Sequence, residues 1–297
     1  MKRLGIIGLG QIGGSVAAAL KRNSAPYHLS GHDRDEELAR LAKSRRLIRY
    51  VFNSDVDLIK NVDILVLALP MFDIHWLLKK RRQLLEEKVL VMDTGSTKQD
   101  VIRTVERLKM RNFVGGHPYA GTEKSAPAAW DADIFTNQLF FVVPPRRYSR
   151  KSYSEAKKLV RYTGADPQRI EPEDHDRMFA FASGLPHVIA YALVASLCDN
   201  RRRKKIETEF LAHSFSSSTR VAMSAPETVA QFLWQNRRHL KREIEIFKRK
   251  LDTFTKQLSM DSIDSFMEEV THLRGLKDNL ERRDGPVTSR KSKPAGR

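Results

Sequence analysis

Leu4-Gly5-Ile6-Ile7-Gly8-Leu9-Gly10-Gln11-Ile12-Gly13-Gly14-Ser15-Val16-Ala17-Ala18-Ala19-Leu20 is the stretch from which the fold is read. Its first four residues are a short apolar run of the kind that forms a buried strand. A glycine-rich turn follows, and then a helix pattern of small residues. Between a strand and a helix, G-x-G-x-x-G specifies a dinucleotide-binding turn; without that context it says little. Gly8 permits the tight turn, and Gly10 lets a pyrophosphate approach the backbone. Gly13 lets helix and strand pack closely, and Gln11 and Ile12 ride in the same loop. The helix N-terminus offers free N–H groups and a positive dipole end to phosphate.

Working outward, His28–His32 reads as a second strand ending at Asp33, 20 residues after Gly13. A carboxylate there bonds the ribose hydroxyls of NAD and repels the extra phosphate of NADP. Asp33 also suits a helix cap, and the adjacent Arg34 suits a phosphate. The expected cofactor is therefore NAD, with NADP left open. Asp63–Leu69 is a continuous apolar run that fits a central parallel strand buried on both faces. Val89–Met92 is another, followed by Asp93-Thr94-Gly95-Ser96-Thr97-Lys98 and a helix from about Gln99. Asn112-Phe113-Val114 reads as a short strand that Gly115-Gly116 turns sharply. Pro118 then restricts His117, so the imidazole is expected on a stiff loop. Leu139–Val143 is a further strand, and Tyr153–Thr163 reads as a helix.

Alternating strands and helices predict an α/β Rossmann domain with a doubly wound parallel sheet over residues 1–172. Ligands of such sheets sit outside the carboxyl ends of the strands. Ser96 and His117 are then expected on the same edge, over the nicotinamide half of the crevice. Ser96 equally suits an N-cap of the next helix.

From about Glu173 the pattern is helical, which sets an all-α domain over 173–281. Gly184 and Pro186 inside it predict a kink that redirects His187. From Pro226 a very long helix is expected. Val229, Leu233, Leu240, Ile244, Phe247, Leu251, Phe254 and Leu258 form a heptad-like seam along it. Such a seam must bury against a helix of this chain, such as Asp261–Leu280, or of a second copy.

Composition bounds the rest. The 297 residues suffice for two domains, and 41% hydrophobic with 30% charged content is that of a soluble globular protein. No run of 18 apolar residues is present, so no membrane span is expected. The first strand begins by Arg3, so no leader is expected either. Cys198 is the only cysteine, which excludes a disulfide framework or zinc cluster and fits a reducing cytoplasm. The net charge of +17 comes partly from residues 282–297, a Pro/Gly/Ser-rich tail expected to be disordered, and from Arg201-Arg202-Arg203-Lys204-Lys205. No aromatic stacking run accompanies these clusters. They read as solvated surface whose field attracts anions. A basic nucleic-acid-binding protein on an inherited Rossmann scaffold is the alternative from another class.

Four strings carry a resemblance. Gly115-Gly116-His117-Pro118-Tyr119-Ala120-Gly121-Thr122-Glu123-Lys124-Ser125 closely resembles a motif of the prephenate/arogenate dehydrogenase family. Asp93–Lys98 resembles its aspartate-x-glycine-serine-x-lysine motif. His175, Asp176, Ser183, Leu185, Pro186 and His187 match its His-Asp and later serine-histidine-leucine-proline-histidine, with Gly184 in place of a histidine. Thr219, Arg220 and Ala222 match its threonine-arginine-isoleucine-alanine segment. The similarity spans about residues 3 to 260.

The resemblance implies NAD(P)-dependent oxidative decarboxylation of prephenate to 4-hydroxyphenylpyruvate, in tyrosine biosynthesis. The substrate is then a cyclohexadienol bearing two carboxylates. It implies His117 as the base, Ser96 orienting it, and Arg220 gripping a carboxylate bidentately. His187, Lys98 and Thr122 are implied as further substrate contacts. No metal is needed, and a homodimer through the C-terminal helices is implied. Ser216, Ser217, Thr228 and Val229 also depart from the family pattern. With Gly184 these departures fall around the substrate, so arogenate and an amino-substituted prephenate stand as alternatives. A histidine base has a reference pKa of about 6.5, so activity is expected to rise through roughly pH 6 to 7.5.

Overall fold

The structure, a computed structural model, describes residues 1–120, 126–198, 213–259 and 262–283. Thr122, the Arg201–Lys205 cluster and nearly all of the basic tail lie outside the described residues.

Eight strands form one sheet in the order β3-β2-β1-β4-β5-β6-β7-β8. They are β1 Lys2–Ile7, β2 Tyr27–His32, β3 Tyr50–Val51, β4 Ile64–Leu67, β5 Leu90–Asp93, β6 Phe113–Pro118, β7 Leu139–Val143 and β8 Asp166–Arg169. Strands β1 to β6 pair in parallel. β7 runs antiparallel to β6, and β8 parallel to β7, so the sheet is mostly rather than wholly parallel.

The continuous apolar runs are explained by what covers them. Alternate residues of a strand point to opposite faces. On β4, Ile64 and Val66 enter a core closed by α1 (Gln11–Arg22) and α7 (Arg150–Tyr162). Leu65 and Leu67 enter a second core, closed by α3 (Asp55–Asn61), α4 (Met71–Lys80) and α6 (Gln99–Arg107). All four are 0–1% exposed, and each such side chain contributes about 1.5–3 kcal/mol by burial. Of the two remaining helices before α7, α2 (Glu36–Ser44) packs into the first core and α5 (Arg82–Glu86) into the second.

Strand β6 corrects the expectation of a sharp glycine turn. The chain stays extended through Gly115 and Gly116 because β7 pairs with it, His117 opposite Phe141. The glycines answer to packing instead: a Cβ on Gly116 would lie 2.5 Å from the Asp93 carbonyl oxygen and from Met92 Cε. His117 is therefore mounted on the end of a strand, a stiffer base than a loop.

After β8 the described residues form helices: α8 (Pro172–Phe179), a π-helical turn Ala180–Gly184, α9 (Leu185–Cys198) and α10 (His213–Thr219). A 3₁₀ turn, Arg220–Met223, leads to α11 (Pro226–Gln235), α12 (Arg237–Gln257) and α13 (Asp264–Arg283). The irregularity expected at Gly184 and Pro186 takes the form of the π turn. The single long helix expected from Pro226 is two helices, broken at the buried Asn236, whose Nδ2 donates to the Asp176 carbonyl at 2.7 Å. The helical run Pro172–Leu197, from α8 through α9, is long and apolar enough by length and composition alone to cross a bilayer. Only 28% of its most apolar window is buried within the chain.

Two compact units result, one running from Met1 to Leu240 and one beginning at Lys241. The first holds the sheet and the helices through α11. Within the second, the rings of Phe254 and Phe266 meet edge to face at 6.2 Å. There Leu251, Leu258, Met267, Val270, Leu273, Leu276 and Leu280 are exposed.

Candidate active site

The glycine loop is shaped by contacts that admit no side chain. Gly8 has φ +90°, and a Cβ there would lie 2.2 Å from the Ala68 carbonyl oxygen. A Cβ on Gly13 would lie 1.9 Å from the Gly8 oxygen. At Gly10 a Cβ would meet nothing within 4 Å, because that face opens into a cleft. Gly10, Gln11 and Ile12 line this cleft, of about 530 Å³, together with Leu69, Thr94, Gly95, Ser96 and His117. A cradle left open only at the central glycine fits a dinucleotide pyrophosphate.

At the end of β2, Asp33 Oδ2 accepts the Leu9 N–H at 2.6 Å and Oδ1 accepts the Asp35 N–H at 2.9 Å. The helix cap is Asp35, which accepts from Leu38 N, so Asp33 is not the cap. Arg34 is exposed. Sequence reasoning missed Trp130, which shapes the same loop. Its indole N–H donates to the Leu9 and Gly10 carbonyls at 2.9 and 3.2 Å, and Arg45 stacks on its ring.

The loop between β5 and α6 carries Ser96. Asp93 braces it: Oδ2 accepts the Gly95 N–H and the Lys98 ammonium, and Oδ1 accepts the Gly116 N–H at 3.1 Å. Lys98, not Ser96, occupies the cap position of α6, and the helix is capped from elsewhere. Asp176, on α8, accepts the Lys98 N–H at 2.7 Å and the Gln99 N–H at 2.9 Å. A carboxylate at a helix N-terminus satisfies unpaired N–H groups and the dipole at once.

The same carboxylate ends a hydrogen-bonded chain. His117 Nδ1 lies 2.8 Å from His175 Nε2, and His175 Nδ1 lies 2.8 Å from Asp176 Oδ1. His175 is fully buried. Phe179 packs on the His117 ring at 4.4 Å between centroids. Burial pulls the His117 pKa well below the ordinary imidazole value, helped by His175 and Lys98. Burial also lowers His175, against the opposing pull of Asp176. Where a base titrating near the reference value was expected, burial lowers the pKa and favours the neutral imidazole. His175 and Asp176 carried a signal in the sequence, an adjacent His-Asp pair in the family pattern, but only the fold puts them behind His117.

A second cavity, of about 400 Å³, is lined by Ser96, His117, Tyr119, Ser183, Arg220 and Phe232 among others. Ser96 and His117 line both cavities, so the two adjoin at those residues.

Family profiles for the prephenate dehydrogenase nucleotide-binding domain and dimerization domain match residues 16–167 and 171–272. The chain is 30% identical to the prephenate dehydrogenase of Lactococcus lactis subsp. cremoris, over 92% of its own length and 77% of that protein's. It is 30% identical to the cyclohexadienyl dehydrogenase of Zymomonas mobilis, over 79% of each. It superposes on the crystal structure of A. aeolicus prephenate dehydrogenase in complex with hydroxyphenyl propionate and NAD+. That match has a TM-score of 0.88 at 25% identity, covering 94% of this chain and 98% of that one. The chain belongs to the prephenate dehydrogenase family. It is an oxidoreductase of that kind, with a nicotinamide cofactor.

Within the prephenate dehydrogenase framework, several motif residues take places that sequence could not assign. Lys98 lines neither cavity. It is 0% exposed and ion-paired with Asp93, and so braces the Ser96 loop from beneath. His187 is likewise absent from both cavity linings; its Nδ1 is 2.8 Å from the Ser183 carbonyl oxygen one turn back. Arg220 does line the Ser96–His117 cavity, at the start of the 3₁₀ turn. Gly184, where the family has a histidine, is buried, and a Cβ there would sit 3.3 Å from Leu240 Cδ1 and 3.7 Å from Leu233 Cδ2.

Proposed function

We propose that the chain catalyses NAD-dependent oxidative decarboxylation of prephenate to 4-hydroxyphenylpyruvate in tyrosine biosynthesis, as a cytoplasmic homodimer. The observation that carries this reading is the cavity that joins Ser96, His117 and Arg220 and adjoins the dinucleotide cleft. The Gly8–Gly13 loop would hold the pyrophosphate and Asp33 the ribose. When bound, the nicotinamide supplies a hydride acceptor. His117 takes the proton of the substrate hydroxyl as the ring carboxylate leaves as carbon dioxide and the ring becomes aromatic. Ser96 orients that hydroxyl and the imidazole. Arg220 grips a carboxylate with its planar fork, which a lysine cannot copy. The exposed apolar side chains of α13 and the incompletely buried α9 support a dimer, since such surfaces seek a partner.

Arogenate or an amino-substituted prephenate is the second reading, favoured by Gly184, which stands where the family pattern has a histidine, next to the cavity-lining Ser183. The test is reduction of NAD and of NADP with prephenate and arogenate side by side. NAD with prephenate is expected to be the best pair, and Asp33→Ser to narrow the preference for NAD. Faster turnover with arogenate would replace the substrate proposed here. Better use of NADP by the wild type would transfer the role of Asp33 to Arg34.

A further inference from the structure

We infer that His175 and Asp176 are positioning residues that hold His117 in its Nδ1–H tautomer, so that Nε2 is its proton-accepting nitrogen. The inference rests on the reading of His117 as the base and adds to it which atom acts and what enforces the choice. A carboxylate only accepts hydrogen bonds, so His175 Nδ1 must carry the proton it shares with Asp176 Oδ1. A neutral imidazole carries one N–H, which leaves His175 Nε2 as an acceptor. The partner of that nitrogen, His117 Nδ1 at 2.8 Å, must then be the donor. His117 Nε2 is left with the lone pair.

The opposite arrangement requires His175 to be doubly protonated in a site where it is 0% exposed. Burial disfavours that charge. Among the described residues, the charged groups that bear on the two rings are few. His117 feels His175 and Lys98, while His175 feels Asp176, Lys98 and Asp93. Lys98 and Asp93 are themselves paired, so Asp176 is the carboxylate that selects the tautomer.

The arrangement is also fixed mechanically. Asp176 is held by the Lys98 and Gln99 N–H groups at the start of α6, the helix that follows the Ser96 loop. Phe179 lies against both imidazoles, with centroids at 4.4 and 4.6 Å. Serine protease triads use a buried aspartate to set a histidine tautomer directly; here an intervening histidine transmits the setting.

The test reads the tautomer itself. Full-length protein labelled with ¹⁵N-histidine is examined by NMR at pH 7.5, and the His117 signals are assigned by their loss in His117→Asn. The expected result is protonated Nδ1 and unprotonated Nε2. A His117 protonated on Nε2 in the wild type overturns the inference, whatever the substrate proves to be. Kinetics supply the second arm. His175→Phe removes the acceptor and should lower kcat by about tenfold or more while leaving KM and NAD affinity nearly unchanged. His175→Gln keeps a carbonyl acceptor and should recover part of that loss. Equal losses in both variants, or no loss in either, overturn the inference. Lack of turnover of prephenate by the wild type would defeat the proposed function and leave the tautomer result standing.

Discussion

The two halves of the cleft are built from different materials. The half proposed for the dinucleotide is mostly backbone: Gly8 and Gly13, packed too closely to admit a side chain, Gly10, open to the cleft, and a run of N–H groups at the start of α1. The half proposed for the substrate is side chains from separate segments: Ser96 after β5, His117 on β6 backed by the buried His175 and Asp176 of α8, and Arg220 in a 3₁₀ turn. A backbone site is specified by spacing over a few residues. A side-chain site exists only once the segments have been packed together. Faults should therefore separate: damage to one half should spare the other.

The largest expected break is at the base. His117→Asn should lower kcat by about 10²–10⁴, the usual worth of a positioned proton acceptor. NAD affinity, measured by calorimetry, should stay within about twofold, because the phosphate-binding loop has its own supports. Near-normal turnover in this variant would move the proton acceptor elsewhere.

Gly10→Ala is the converse. Its Cβ would meet nothing within 4 Å among the described residues and its φ of −59° suits alanine, so folding should be unharmed. The methyl would stand where the pyrophosphate approaches, and NAD affinity should fall by about tenfold, roughly 1.4 kcal/mol. An unchanged affinity would take Gly10 out of the cofactor site. Arg220→Lys sharpens the same contrast from the substrate side. Charge survives but the fork does not, so KM should rise by about three- to tenfold, with kcat falling less than kcat/KM. Steady-state kinetics over a substrate series decides it, and an unaltered KM would remove Arg220 from the carboxylate.

How much of this was legible follows the same division. The strand–turn–helix around Gly8–Gly13 could be read outright, as could the buried strands, because period and spacing are local. Lys98 could not be placed: a motif lysine looks like a substrate contact until Asp93 is seen to neutralise it inside the protein. Gly115 and Gly116 looked like a turn because the antiparallel partner β7 is remote in sequence. Asn236 breaks the expected long helix, since its side chain bonds α8 rather than solvent. His175 and Asp176 were visible as a matching pair, but nothing local announces that an imidazole from β6 will sit against them.

The smallest expected effect concerns stability, and it too distinguishes the halves. His117 and His175 have pKa values lowered in the folded protein, chiefly by burial, and His75 shifts the same way. In the unfolded chain each imidazole titrates near about 6.5. Between the two values the unfolded state binds more protons, so stability rises with pH there and falls as pH drops below the unfolded value. Asp63, lowered by its bonds to Arg3, acts in the same direction but only at the more acid pH where carboxylates titrate. A decline in the thermal midpoint between roughly pH 7 and 5 therefore reports the buried imidazoles. His117→Asn should flatten that decline, because the substituted amide has no proton to gain. Gly10→Ala should leave it as steep as in the wild type. Equal slopes in His117→Asn and wild type would mean that His117 is not desolvated as its packing against Phe179 and His175 indicates.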